Sequence, residues 1–599
     1  MTRQAARPGA RSVPRASPGR AGQLGLALSA ASIALTFAVA VLGPSVMEPA
    51  LPGRPGQPPW AFAAGPSPYL VVAMTAVALA AGTAGLGLTM SAARRGWSIP
   101  PRLILTAGIL LAAALALVPP FGSSDHLSYA AYGRMVITGH DPYTTTPAAL
   151  ARLGDPVARA VQDWRNSPSD YGSLATAGQA LASLIGGTSA RLTVFVLSLL
   201  NVAAFAITGL LLHRLARGDR ARQLRAALLW TANPLLLQVL VAGAHVDSQA
   251  IVFCIAALAV FALRIPNGSR PASPARLALA AAGAGALIGL GFAVKPTMIL
   301  AGAGLVIACA VGWHRQRQGR LPAAGGQSPW REAALLLGGL AAGFALTAGA
   351  SVAIWGISSL RPGLRAGSFV SIGSPWRAVR AALSLATGES IAEDVVKTAA
   401  IVLAVVLLML LVRSIHRLEP ASGAVPAAVA QTAVAQTAVA QTAAGLPAAG
   451  LPAVDPAAVD PAAVDPAGRP EMVPVSLAWA AVFAVAFAWL LAWPYVLPWY
   501  DALGWALLAL LPWSRLDWLL LARTAALAFG YLPARMITMP AGLGWLRTVV
   551  RTGITPVILL AVIVVLVVML WPSRPAMPQQ LAEGDPAGTG RSRISWLPS

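Results

Sequence analysis

Long apolar runs recur along almost the whole chain, and the gaps between them alternate in charge. A run of about 18 or more apolar residues can cross the hydrocarbon core of a bilayer as a helix. A helix also satisfies its own backbone amides, which hydrocarbon cannot do. A water-soluble core has no room for so many uninterrupted runs. With 57% hydrophobic and 11% charged residues among 599, the chain reads as an all-α, polytopic membrane protein. Candidate spans lie near residues 24–42, 70–91, 103–118, 192–212, 226–242, 249–263, 277–293, 296–312, 333–355, 398–413, 474–492, 502–513, 517–532 and 549–571. The stretch 502–532 is the weakest, because Trp513–Arg515 and Asp517 interrupt it, so 12 to 14 transmembrane helices are expected.

Every second gap is basic. Ala92–Arg102, His213–Arg225, Arg264–Arg276, Trp313–Arg331 and Arg413–Pro470 carry Arg at the membrane edge, and the first 22 residues form an Arg-rich tail. Basic residues stay on the cytoplasmic side, which places the N-terminus inside. The first apolar run is long for a cleaved signal, and so reads as an uncleaved span. The other gaps then face outward: Phe121–Ala190, Gly243–Gln249, the break at Lys295, Ile357–Lys397 and Trp493–Asp501. The net charge of +22 is explained by orientation and by retention on anionic lipid. No basic, aromatic-interleaved soluble domain is left over, which argues against nucleic acid as a partner. Cys254 and Cys309 both fall within apolar runs, where they read as packing residues.

The two long outer gaps hold mixed polar and apolar residues. Within the first, Ala148–Trp164 has helical spacing between turns at Asp141-Pro142 and Ser167-Pro168, so short helices on the membrane surface are expected. In the second, Trp376, Arg377 and Arg380 suggest an interfacial helix whose cations break the charge rule and suit a phosphate. Residues 428–465 repeat AVAQT and then PAAVD, a composition that cannot bury a core.

The chemistry-bearing residues sit in the outward gaps. Asp125 directly follows a span in Ser-Ser-Asp-His. It is either a helix cap or a general base held at the lipid–water boundary. His245 and Asp247 lie at membrane depth, where ionisable groups are expensive and tend to be functional. Their spacing allows a divalent cation, a phosphate, or simple loop polarity. Asn233-Pro234 just upstream predicts a kinked helix facing a cavity. Lys295 interrupts an apolar stretch and precedes Pro296, so one span ends there. It either snorkels or binds phosphate. Tyr129, Tyr132, Tyr143, Tyr171 and Trp164 in the first outer gap, with Trp493, Tyr495, Trp499 and Tyr500 in the last, are belt aromatics or platforms for sugar rings. No Gly-rich phosphate loop, HExxH or GxSxG occurs, which argues against an NTPase, a zincin or an α/β-hydrolase.

Several stretches occur in order: Ser124-Asp125-His126-Leu127-Ser128-Tyr129-Ala130-Ala131-Tyr132-Gly133-Arg134, Gly139-His140-Asp141-Pro142-Tyr143, Ser167-Pro168-Ser169-Asp170-Tyr171-Gly172, Asn233-Pro234, Gly243-Ala244-His245-Val246-Asp247 and Lys295-Pro296. Together they resemble the actinobacterial polyprenol-phosphomannose-dependent α-1,6-mannosyltransferases, glycosyltransferases of the GT-C class. The resemblance covers roughly residues 20–415 by motif and the final spans by layout. It departs at Ser167–Gly172, where the family has a simpler Pro-Tyr-Gly turn.

The resemblance implies a GT-C-like fold with a long first extracytoplasmic loop, and a plasma-membrane enzyme whose active site faces outward. Mannose would pass with inversion from a polyprenyl phosphomannose donor to a glycolipid or mannan acceptor, with membrane lipid as the surrounding partner. Asp125 would be the base. Lys295, Arg134 and His245 would stabilise the leaving phosphate, and His126, Tyr129, Tyr132, Asp141, Tyr143, Tyr171 and Asp247 would complete substrate binding. No cofactor is required, although a divalent cation fits the same chemistry. The expected organisation is a disordered basic tail (1–22), a catalytic transmembrane module (23–418) with its loop at 119–190, a disordered linker (419–472), a second transmembrane module (473–572) and a disordered tail (573–599). A transporter or lipid flippase, or a GT-C enzyme with another lipid-phosphate sugar donor, remains the alternative.

The charge alternation makes a direct prediction. A reporter fused within Ser123–Tyr143 is expected to be active only on the outer side of the membrane. A cytosolic signal there would overturn the orientation.

Overall fold

The computed structural model describes residues 17–263, 273–318, 328–361, 369–415, 473–534 and 539–571. The repeat array and most of both expected tails lie outside the described residues. Among the described residues all regular structure is helical. Ten helices among the described residues are long and apolar enough to cross a membrane, and Pro101–Ala116 and Asp247–Ala262 are shorter apolar helices at two further expected spans. The chain is therefore a multi-pass membrane protein.

Proline punctuates the fold. Pro18, Pro68, Pro101, Pro274 and Pro375 each open a helix, a position where the missing amide costs nothing and the fixed φ is already helical. Ser17, Ser273 and Ser374 precede three of them, and each side chain accepts an amide of the first turn. For this reason the first helix starts at Pro18, ahead of the apolar run itself.

Small residues let the spans approach closely. A Cβ added to Gly343 would collide with the carbonyl of Ala282, and one added to Gly285 with that of Leu340, so the helices Pro274–Val294 and Pro329–Trp355 meet backbone to backbone. Gly25 and Gly85 do the same between Pro18–Leu42 and Pro68–Arg94.

Two of the basic gaps, Ala92–Arg102 and His213–Arg225, meet at the turn before the helix Leu516–Gly530. Arg94 donates to the carbonyl of Ser514 at 2.9 Å and Arg222 to that of Leu510 at 3.3 Å. Arg225 binds the Leu508 carbonyl at 2.7 Å and the Asp517 carboxylate at 2.6 Å, with its guanidinium over the Trp513 ring. These contacts explain the interrupted stretch 502–532: Trp513–Arg515 is the turn between the helices Asp501–Leu508 and Leu516–Gly530. Both helices are buried nearly along their length and form part of the bundle's interior. Asp501 and Arg523 pair between them, Thr524 donates to Asp501 at 2.7 Å, and Arg523 donates to the Leu490 carbonyl at 2.6 Å.

The first long outer gap folds into the helices Asp125–Ile137, Pro147–Arg152, Pro156–Arg159 and Ser173–Gly186. Short helices were expected there, but the first and last are more than surface elements. Ala130 and Ala131 on one and Thr176 and Ser183 on the other are fully buried. In the second gap Pro375–Thr387 is helical with no buried residue, and the Trp376 indole donates to the Ala492 carbonyl at 2.8 Å.

Arg225 and Asp517 are both almost fully buried, so removing one leaves the other as an uncompensated charge. Arg225→Met is expected to cost about 3–5 kcal/mol. Adding Asp517→Leu should recover part of that loss, as read by thermal unfolding of the detergent-purified protein.

Candidate active site

Asp125 opens the helix Asp125–Ile137. Its own amide donates to the Ser123 hydroxyl at 3.1 Å, so Ser123 serves the helix start. The Asp125 side chain borders a cavity of about 390 Å³. Burial, and then the neighbouring carboxylate of Asp163, push its pKa up to about 6, against the opposing pull of the Ser123 hydroxyl and the Lys295 ammonium. The Asp163 carboxylate accepts a hydrogen bond from the Ser124 hydroxyl beside it.

The second element of the site follows the span Arg220–Val241. The helix breaks where expected: the Asn233 side chain accepts the amides of Leu235 and Leu236 and donates to the Leu229 carbonyl. A π-helical turn, Leu237–Val241, then leads into Gly243-Ala244-His245. Such turns recur at functional sites. Ala244 has φ +52°, a region that disfavours a residue with a Cβ. Its carbonyl accepts the Asn201 amide at 2.7 Å, and Gln249 holds Asn201 in turn at 2.7 Å. This strained turn aims His245 into the site. The imidazole stacks on Trp499 at 3.5 Å between ring centres and 15° between planes. Its Nδ1 lies 3.6 Å from Asp125 Oδ2, just beyond hydrogen-bond length. Burial, with Lys295 and His126 nearby, drives the His245 pKa well below its ordinary value, so the ring is neutral at physiological pH.

Lys295 separates the helices Pro274–Val294 and Pro296–Met298 and is mostly buried. It does not reach outward as a snorkelling lysine would. Its ammonium binds Asp247 at 2.6 Å and lies 3.8 Å from the centre of the Tyr500 ring. His245 and Asp247 therefore turn to different partners, one to Asp125 and the other to Lys295. Among the described residues no three His, Cys, Asp or Glu side chains gather as ligands for a metal ion.

Tyr129, Tyr132 and Tyr171 line the same cavity as Asp125 and Lys295. Tyr171 donates to the Tyr129 hydroxyl at 3.2 Å, and the two rings meet edge to face at 4.9 Å. Burial, then nearby negative charge, raises both phenols well above their usual range. Six expected substrate-binding residues do not line the cavity: His245 and Asp247, which lie against Asp125 and Lys295, and four others. Arg134 is held by Asp155 at 2.6 Å, and Asp155 also caps the helix Pro156–Arg159. The Asp141 carboxylate accepts the Tyr143 amide at 2.8 Å in a local turn. Tyr143 is buried against the Thr176 hydroxyl at 3.1 Å, and burial lifts its phenol to about 12. His126 is fully buried behind the site.

The structure adds residues that the sequence reading gave no role. Ser128, Phe292, Phe369 and Trp489 reach the cavity. Trp499 and Tyr500, adjacent on the turn Pro498–Tyr500, contact His245 and Lys295, which lie far away in the sequence. The only sequence signal for Ser128 is its spacing: Ser124, Ser128 and Tyr132 fall on one helix face.

Comparison with known proteins agrees with the order of the motifs. Residues 24–311 match the family model described as "Alpha-(1->6)-mannopyranosyltransferase, N-terminal domain". Alpha-(1->6)-mannopyranosyltransferase A of Corynebacterium glutamicum is 29% identical over 134 residues, 22% of this chain and 27% of that protein. A probable alpha-(1->6)-mannopyranosyltransferase of Mycolicibacterium smegmatis is 31% identical over 166 residues, 27% of this chain and 29% of that protein. An alpha-(1->6)-mannopyranosyltransferase of Mycobacterium tuberculosis is 34% identical over 135 residues, 22% of each chain. The matched segments thus span about a quarter of these relatives. No solved structure matches the chain. The resemblance to the α-1,6-mannosyltransferases therefore holds over residues 24–311, which include Asp125, His245, Asp247 and Lys295.

The raised carboxyl pKa gives a signed expectation. Asp125 is protonated below about pH 6 and ionised above it. An infrared carboxyl band that fades as pH rises through about 6, and that is missing in Asp125→Asn, is the expected result.

Proposed function

We propose that this chain is an inverting glycosyltransferase that moves mannose from polyprenyl phosphomannose to a mannan or lipomannan acceptor. It forms α-1,6 links at the outer face of the plasma membrane. The observation that carries this reading is that the carboxylates of Asp125 and Asp170 and the ammonium of Lys295 open into one cavity ringed by aromatic side chains. The relatives' activity, named in their titles, agrees with it. The outward placement rests on the alternation of basic gaps in the sequence, two of which, carrying Arg94, Arg222 and Arg225, meet around residues 508–517.

In this reading the acceptor hydroxyl attacks the anomeric carbon while its proton passes to Asp125. The bond from that carbon to the phosphate oxygen breaks, and polyprenyl phosphate leaves with the electron pair. A carboxylate whose pKa is about 6 is ionised at neutral pH and still basic enough to take a proton. The leaving phosphate is a stable anion, so it needs a positive charge and not an acid. Lys295 supplies that charge from the cavity wall, where low polarity strengthens its field. Asp247 and Tyr500 fix the ammonium from the sides. Arg134 is occupied by Asp155 and His245 is neutral, so neither shares this role. His245 instead packs its ring beside the Asp125 carboxylate, with Nδ1 3.6 Å from Oδ2.

Membranes carrying the protein are expected to transfer label from polyprenyl phosphomannose to a short mannoside. Asp125→Asn should lower the rate about 10²–10⁴-fold, and the wild-type rate should fall as pH drops through about 6. Equal transfer by both proteins would remove Asp125 from its role. Absent transfer alongside measurable lipid translocation would favour a flippase.

A further inference from the structure

We infer that Trp164 is a stacking platform for the acceptor glycan, set beside the base by one face of the helix that Asp125 opens. The inference rests on the mannosyltransferase reading and adds to it the place where the acceptor lies.

Trp164 has φ +59°, so a bulky residue occupies a backbone region that L-residues rarely adopt. Such strain persists only where the surroundings impose it, and it clusters at ligand sites. Here the surroundings are identifiable. The Ser124 hydroxyl donates to the Asp163 carboxylate, the Ser128 hydroxyl contacts the Asp163 carbonyl at 3.5 Å, and the Tyr132 hydroxyl donates to the Ser167 carbonyl at 3.0 Å. Ser124, Ser128 and Tyr132 are spaced by four residues and lie on one stripe of the helix start and body. The turn closes on itself through the Ser167 amide, which donates to the Trp164 carbonyl at 3.0 Å. The element that carries Asp125 therefore also fixes the turn that carries Trp164.

The side chain is not used for packing. Trp164 is 41% exposed although it borders the cavity. Phe369 meets it edge to face at 5.9 Å and 81°. A perpendicular partner steadies the indole and, whichever ring presents its edge, leaves at least one indole face uncovered by Phe369. An aromatic face of this kind suits the apolar C–H face of a hexose ring. The donor end lies elsewhere. From Trp164 the ring contacts run through Phe369, Tyr495 and Tyr500 before they reach the Lys295 ammonium. Trp164 thus marks the side of the cavity away from the phosphate.

The test uses full-length protein in membranes, with polyprenyl phosphomannose and an α-1,6-linked mannotrioside. The wild type must first transfer mannose; if it does not, the functional reading itself fails and this inference falls with it. Given an active wild type, Trp164→Ala and Trp164→Gly are both expected to raise KM for the trioside about tenfold, with kcat and donor KM within about twofold. Trp164→Phe should keep the wild-type KM. Glycine accepts φ +59°, so Trp164→Gly should melt above Trp164→Ala while binding acceptor no better. An unchanged trioside KM in the Gly and Ala variants, or a loss confined to kcat, would overturn the assignment.

Discussion

The ion pair of Lys295 with Asp247 is the contact on which the site depends. Each charge lies where two helices meet, and neither would be tolerated there alone. Together they hold the start of the helix Asp247–Ala262 to the break between Pro274–Val294 and the span that follows. That anchoring sets the strained turn at Ala244, because His245 is only two residues from Asp247. The turn sets His245 against Asp125. A single pair of charges thus registers three non-adjacent elements around one carboxylate.

The cavity obeys the rule that irregular backbone at membrane depth must be buried in protein or face a cavity. The helix break after Leu229, the π-turn at Leu237–Val241 and the interruption at Lys295 are three departures from regular helix. The freed groups have named partners. Asn233 serves two amides and a carbonyl, and Asn201 takes the carbonyl of Ala244.

Much of this was legible in the sequence. The spans were readable because apolar length is a direct consequence of bilayer thickness, and the helix starts because Pro and Ser act locally. Asp125, His245, Asp247 and Lys295 stood out because charge at membrane depth is costly. Which of these residues meet was not legible, since contacts such as Trp499 on His245 join positions far apart in the chain. Arg134 shows the limit plainly. It looked like a phosphate ligand by its neighbourhood in sequence, but Asp155 lies one short helix away and takes it. Asp163 had no signal at all, because its influence on Asp125 arises only when the turn folds back onto the helix.

Trp499 and Tyr500 complete a site whose charged members lie much earlier in the chain, and they do so through side chains alone. A change that shifts the turn Pro498–Tyr500 would therefore reach His245 and Lys295 with every charged residue left in place.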